Sequence, residues 1–317
     1  MNNSKNYNKI LISGSLVYDR IMDFPGYFQD HILPDKIHIL NVSFLVNGLK
    51  ESYGGTAGNI AYNLSLLGER AVVLSTVGHD FSPYEKWLAK KVDLRQIKKI
   101  KKQPTASAYI ITDKADNQIT GFNPGAMAIR RGIFSKKFLK DSLAIISPGN
   151  LGDMEEYAKL YKRTGVRYIF DPGQTITGLS KNVLRMAIDG AFCLIGNDYE
   201  ISLIENKTGW KGKVLADKVE MLIITKGAKG SEIYNQGKKY KIPPAKPKQV
   251  SDPTGAGDAY RAGLIKGLIK NWPLPKAGRL AGLTAVYAVE NYGTQKHSFT
   301  WKNLKQRYKK NYQDILA

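Results

Sequence analysis

Between residues 143 and 195, apolar runs and helical stripes succeed one another with short loops between them. Leu143-Ala144-Ile145-Ile146 reads as a strand, 154–164 as a helix closed by Gly165, 166–170 as a strand, 181–188 as a helix and 191–195 as a strand. A run of four or five apolar residues has no polar face, so both of its faces must be covered. Strands of this kind alternating with helices imply an α/β fold, a mostly parallel sheet with helices on both faces. The pattern extends back to Ile10-Leu11-Ile12 and Ala71-Val72-Val73-Leu74. It extends forward through a helix at 199–205, the strand Met221-Leu222-Ile223-Ile224, a hairpin around Gln236-Gly237, a helix at 276–289 and a basic terminal helix at 301–315.

Two stretches depart from the pattern. After an irregular Pro/Gly segment from Phe24, Val42, Phe44 and Val46 alternate with Ser43, Leu45 and Asn47, the period of a strand. Ala108-Tyr109-Ile110-Ile111 and Gln118-Ile119-Thr120-Gly121-Phe122 flank the turn-rich 113–117, a hairpin signal. These strands predict a small accessory sheet, inserted from about 24–52 and 106–124 as a lid on a single domain spanning 1–317. The 317 residues contain no repeat or linker, and 43% hydrophobic content supplies a substantial core.

Composition excludes several functions. No apolar run approaches the roughly 20 residues that cross a bilayer, and the chain begins with the polar stretch 1–9, so a cytoplasmic protein without membrane partners is expected. The single cysteine, Cys193, lies in an apolar run and reads as a buried strand residue, not a nucleophile. His31, His38, His79 and His297 have no metal-ligand spacing, which argues against a catalytic zinc. Lys and Arg number 48 against 27 Asp and Glu, a net charge of +21. The lysines are dispersed, with clusters only at 95–102 and 302–310 and no RNA-binding aromatic signature, so the excess reads as a solvated basic surface that attracts anionic nucleotides and not as a nucleic-acid interface.

The chemistry gathers at glycine loops. Ser251-Asp252-Pro253-Thr254-Gly255-Ala256-Gly257-Asp258 leads into an apolar helical stripe through Gly263, Leu264, Leu268 and Ile269. Bare amides at such a helix start suit a phosphate oxygen, and Asp258 adds a carboxylate able to take a proton. Tyr53-Gly54-Gly55-Thr56-Ala57-Gly58-Asn59 opens a second helix. It is either a tight strand-to-helix turn or a close approach to a hydroxylated substrate, with Asn59 offering donors and an acceptor. Asp19, after the first strand and Gly14, suits the same hydroxyls and is expected with that glycine turn at one end of the main sheet. Thr225-Lys226-Gly227-Ala228-Lys229-Gly230 follows a strand, its lysines either solvated or bound to phosphate. Asn197-Asp198-Tyr199-Glu200 also follows a strand, as a helix cap or, through Glu200, as indirect control of Mg²⁺. Walker and protein-kinase signatures are missing.

These residues resemble the PfkB/ribokinase family over nearly the whole chain. The 53–59 and 252–258 stretches resemble its two signatures, Asn197 to Glu200 its Asn-x-x-Glu motif, Thr225 to Gly230 its nucleotide loop, and Gly14 with Asp19 its first-strand substrate pair. The resemblance implies a Rossmann-like ribokinase-type core with a β-sheet lid, ATP and Mg²⁺ as co-substrates, and transfer of the γ-phosphoryl group to a primary hydroxyl. It implies Asp258 as general base and the amides of Gly255, Ala256 and Gly257 as stabilisers of the transferring group. Asp19, Gly54, Gly55 and Asn59 would hold substrate hydroxyls, and Asn197, Thr225, Gly227 and Gly230 the nucleotide. Pro253 stands where many members carry Thr, which leaves activation by a monovalent cation open. The segments 116–120, 124–127, 170–174 and 292–295 resemble the bacterial and archaeal adenosine (nucleoside) kinase branch. Gln118, Phe122 and Met127 are then expected at the nucleoside, with Phe122 and Met127 either covering the base or filling the lid's own core. The expected activity is 5′-phosphorylation of adenosine or a related nucleoside by a monomer or a lid-mediated homodimer. The alternatives are a sugar kinase acting on ribose or a fructose-like ring, and an inactive relative that binds nucleotide or nucleic acid.

Overall fold

A computed structural model describes residues 7–316; residues 1–6 and 317 lie outside the described residues. The first half of the chain runs β1 (Lys9–Ser13), β2 (Val17–Asp23), β3 (Lys50–Gly54), α1 (Thr56–Leu66), β4 (Val72–Leu74), β5 (Thr76–Gly78), α2 (Ser82–Leu88), β6 (Lys98–Ile100), β7 (Ala106–Thr112) and β8 (Gln118–Asn123). There follow β9 (Ser142–Ile146), α3 (Leu151–Thr164), β10 (Arg167–Phe170), α4 (Lys181–Gly190), β11 (Cys193–Asn197), α5 (Asp198–Thr208), α6 (Lys213–Ala216) and β12 (Met221–Thr225). The chain closes with β13 (Ser231–Asn235), β14 (Lys238–Ile242), α7 (Ala256–Ile269), α8 (Leu274–Val289) and α9 (Trp301–Tyr312).

Eight strands form the central sheet in the order β14-β13-β12-β11-β10-β9-β1-β4, parallel from β12 to β4 and antiparallel at the β13–β14 edge. Alternate residues of each strand enter separate cores. Ile10, Ile12, Leu143 and Ile145 pack under α1, α7 and α8, whereas Leu11, Ala144 and Ile146 pack under α3 and α4. This is the two-sided burial that unbroken apolar strands require. Because the strands are parallel, the loops after β1, β10, β11 and β12 emerge at one edge, where the glycine-rich segments collect. Among the described residues no helix is long and apolar enough to cross a membrane.

The lid is a four-stranded sheet, β3-β2-β7-β8. Its composition corrects the expected boundaries. Residues 42–46 are not a strand: their alternating burial is real, but Phe44 turns onto Phe24, Phe28 and His31 in an aromatic cluster and the segment finds no ladder partner. The strands that flank this excursion, β2 and β3, pair with each other instead. Asp19 therefore stands on the lid and not at the end of a central strand. Helix α2 begins with Pro83 in its first turn, and its seven residues are too short a pattern for the sequence to mark.

Candidate active site

Two helix starts follow glycines at the sheet edge. Gly255, with φ of 78°, precedes α7, which no side chain caps; Gly55, with φ of 89°, precedes α1, whose first amides are taken by Ser15, Thr56 N donating to its Oγ at 3.1 Å and Ala57 N to its carbonyl at 3.1 Å. Both positions demand glycine twice over, by conformation and by space. A Cβ on Gly55 would lie 2.6 Å from the Ser15 carbonyl oxygen, and one on Gly255 would lie 2.9 Å from Thr294 Cγ2. The Ala256 amide closes a long turn bond onto the Pro253 carbonyl at 3.2 Å, so it is less available to a phosphate than the signature suggests. The amides of Gly255, Gly257 and Asp258 donate to no acceptor among the described residues. Asp252 ties the turn to the following chain, accepting from Thr254 N at 2.8 Å and from Gly293 N at 3.0 Å.

Asp258 sits in the first turn of α7 and accepts from Asn59 Nδ2 at 2.8 Å through its Oδ2. Burial pushes its carboxyl up to about 7, against the opposing pull of the Arg261 charge and the Asn59 bond; Asp171 and Asp19 raise it further. A carboxylate held near neutrality is suited to taking a proton at working pH. Asp19 rises to about 6, first by burial and then by the charge of Asp252. A Cβ on Gly54 would lie 2.1 Å from Asp19 Oδ2, so that glycine makes room for the carboxylate.

Strand register arranges the lid residues. Asp19 pairs with Ala108, and Ala108 with Phe122, so these side chains project from one face in one row. Phe122 is 51% exposed on that face and fills no lid core. Met127 lies in a single turn after the hairpin and not on it, packed against the apolar cluster of Val17, Ala106 and Ala108 on the same face. The Asn150 side chain holds this turn by donating to the carbonyls of Met127 and Ala128 at 2.9 and 3.0 Å. Gln118 shares the face but pairs with Thr112, beside Asp23, four residues beyond Asp19. That is roughly 13 Å along the strands, which separates it from the other lid residues.

Asn197 and Glu200 form a capping box on α5: Asn197 Oδ1 accepts from Glu200 N and Glu200 Oε2 accepts from Asn197 N, each at 2.8 Å. The cap engages one carboxylate oxygen of Glu200 and leaves the other. Thr225 ends β12, and Gly227 and Gly230 take φ of 53° and 84° in the loop that follows. Lys226 is paired with Glu232 at 2.9 Å, so it belongs to the loop's own structure and not to a free phosphate contact.

Two further residues carry no role from the sequence: Asp171, within the 170–174 segment, and Arg261, three positions past the 252–258 stretch. Asp171, after β10, and Arg261, one turn after Asp258, make a buried bidentate ion pair, Nη2 to Oδ1 at 2.6 Å and Nε to Oδ2. Arg261 Nη1 lies under the turn, where a Cβ on Gly257 would approach it to 2.7 Å. Its position three residues from Asp258 on a helix is the signal that places it on the same side. Thr56 joins the loops after β1 and β9, donating to the Pro148 carbonyl at 2.8 Å and accepting from Ser147 Oγ at 3.1 Å.

The sequence profile of the pfkB family carbohydrate kinases matches residues 16–301. The chain belongs to that family. A pfkB kinase is a phosphotransferase with a hydroxyl acceptor, and the fold is of ribokinase type. Among the curated relatives of this pfkB kinase, a nucleoside kinase of Methanocaldococcus jannaschii is 35% identical over 275 residues, 85% of this chain and 90% of that one. Among solved structures, the nucleoside kinase of Burkholderia thailandensis in complex with inosine superposes with a TM-score of 0.87 at 36% identity, covering 96% of this chain and 99% of that one. The same enzyme in complex with ADP-inosine gives 0.84 at 37% identity, covering 96% and 97%.

Proposed function

We propose that this pfkB kinase is an ATP-dependent nucleoside kinase that phosphorylates the 5′-hydroxyl of adenosine or a related nucleoside. The observation that carries the reading is the Asp258 carboxylate, raised to about 7 beside the unpaired amides of Gly255 and Gly257. The inosine held by a neighbour of the same fold and the nucleoside-kinase names of the relatives support the choice of acceptor. In this reading the acceptor O–H bond breaks as its oxygen bonds the γ-phosphorus. The proton passes to Asp258, and the bond from the γ-phosphorus to the bridging oxygen breaks with its electron pair leaving on ADP. The amides of the turn stabilise charge on the transferring group. Asp19 accepts from ribose hydroxyls, Phe122 and Met127 cover the base, and the Thr225, Gly227 and Gly230 loop borders the nucleotide.

Among the described residues no three His, Cys, Asp or Glu side chains converge to hold a metal ion. Where ATP brings Mg²⁺, the carboxylate oxygen of Glu200 that the cap leaves free would be the group available to its hydration shell. The ion's contribution when bound is to neutralise the β- and γ-phosphate oxygens.

A panel of adenosine, inosine, guanosine, cytidine, free ribose and a fructose phosphate, each with ATP and Mg²⁺, tests the assignment. Turnover of one or more nucleosides is expected. Turnover of a free sugar with none of any nucleoside would refute it in favour of a sugar kinase, and salt-sensitive nucleic-acid binding without turnover would favour an inactive relative. The same assay with and without K⁺ decides whether Pro253 permits cation activation.

A further inference from the structure

Asn59 reaches Asp258 at the end of a hydrogen-bond chain whose direction is set elsewhere. The Trp87 indole is a donor only, and it donates to Gln295 Oε1 at 3.1 Å. Gln295 must then present its Nε2 on the other side, where it donates to Asn59 Oδ1 at 3.0 Å and to the Tyr84 hydroxyl at 2.5 Å. Tyr84 fixes the same orientation independently, because its own hydrogen is spent on the Gly54 carbonyl at 2.8 Å and it can only accept from Gln295. With its oxygen committed to Gln295, Asn59 has only Nδ2 to offer, and it donates to Asp258 Oδ2 at 2.8 Å. Reversing any amide in the chain would set two donors or two acceptors against each other.

The chain is built into the protein. Gln295 and Asn59 are buried and Tyr84 is fully so. Tyr84 stacks on Tyr53 with ring centroids 4.5 Å apart. Gly58 lies beneath the junction: a Cβ there would lie 2.1 Å from the Tyr84 hydroxyl and 3.1 Å from Gln295 Nε2. Trp87 and Gln295 lie behind Asn59, with Asn59 between Gln295 and the carboxylate.

We propose that Gln295 and Trp87 are positioning residues that lock Asn59 as a hydrogen-bond donor to Asp258 Oδ2, reserving Asp258 Oδ1 for the substrate proton. The inference rests on Asp258 acting as the base. A donor on Oδ2 stabilises the ionised carboxylate, the form that accepts a proton; a reversed Asn59 would present its carbonyl and stabilise the protonated form. The other charged and titratable groups facing Asp258 are Arg261 on its own helix, Asp171 after β10, Asp19 on the lid and Tyr84 on α2. None of them donates a hydrogen bond to Asp258 among the described residues.

The test is the pH dependence of kcat with saturating adenosine and ATP for the wild type, Gln295→Met, Gln295→Glu and Trp87→Phe. Gln295→Glu puts a carboxylate, which cannot donate to Asn59, where the amide was, and draws the Asn59 Nδ2 away from Asp258. Gln295→Met removes the lock without adding charge. Trp87 is 39% exposed, so its replacement by Phe spares the fold even where a buried change does not. The acid limb of the profile is expected to move up by about one pH unit in Gln295→Glu and by about half a unit in the other two, with kcat recovering toward wild type on the alkaline side. A uniform fall in kcat at every pH, or an unchanged kcat, with the limb in place would overturn the proposal and leave Gln295 a purely structural residue. A wild-type profile without an acid limb, or full activity in Asp258→Asn, would instead overturn the assignment of Asp258 as base.

Discussion

Replacing Asp171 by Leu and Arg261 by Met, singly and together, separates what the buried ion pair does for the fold from what it does for the base. The two side chains retain 2% and 8% of their exposure and meet through two parallel hydrogen bonds. At that burial, removing one partner strands the other charge in a medium that solvates it poorly, a cost of about 3–5 kcal/mol. Replacing both with apolar groups of similar size removes the desolvation cost together with the attraction. The double variant should therefore return to within about 1 kcal/mol of the wild type, and the single costs should not add. Urea unfolding followed by tryptophan fluorescence reads all three stabilities, provided the slope is common to the series. The kinetic effects have opposite signs. The Arg261 cation favours ionised Asp258 and the Asp171 carboxylate opposes it. Arg261→Met should thus move the acid limb of kcat up, and Asp171→Leu should move it down. Single variants that each cost less than about 1 kcal/mol, additive stabilities, or limbs displaced in the same direction would refute the account.

Asp258→Asn removes the proposed proton acceptor and keeps the side chain's size, so kcat should fall by about 10²–10⁴ while calorimetry still detects nucleoside binding. The two raised carboxyls predict separate pH effects. Each contributes only when ionised, so turnover should decline as pH falls through about 7 with Asp258, and nucleoside KM should rise as pH falls through about 6 with Asp19. In Asp19→Asn the KM effect should be absent and the kcat limb retained. Gly58→Ala places a methyl 2.1 Å from the Tyr84 hydroxyl. It should lower the melting temperature and kcat together, the direction expected of overpacking, with a stability loss of about 1–3 kcal/mol.

The sequence alone determined the parts of this protein that depend on local rules. Unbroken apolar runs separated by helical stripes dictate a covered parallel sheet, and glycines at 55 and 255 mark turns that other residues adopt only with strain. Asp258 follows its turn by three residues, so the pairing of a glycine turn with a carboxylate was legible before any contact was known. The lid was legible in part. The hairpin of β7 and β8 obeys a short-range turn signal, whereas the pairing of β2 with β3 joins strands separated by an irregular excursion, and the alternation at 42–46 imitates a strand without a partner to complete it. Only the tertiary structure decided the direction of the Asn59 amide, the burial of Arg261 against Asp171 and the row that joins Asp19 to Phe122. Each depends on residues far apart in the chain: Asn59 to Gln295 spans 236 positions, and Asp171 to Arg261 spans 90. A hydrogen bond's direction and a charge's desolvation are properties of what surrounds a group in space, which local spacing does not carry. The turn at Gly255 and its carboxylate can thus be read from the chain, and the donor that meets Asp258 comes from the fold.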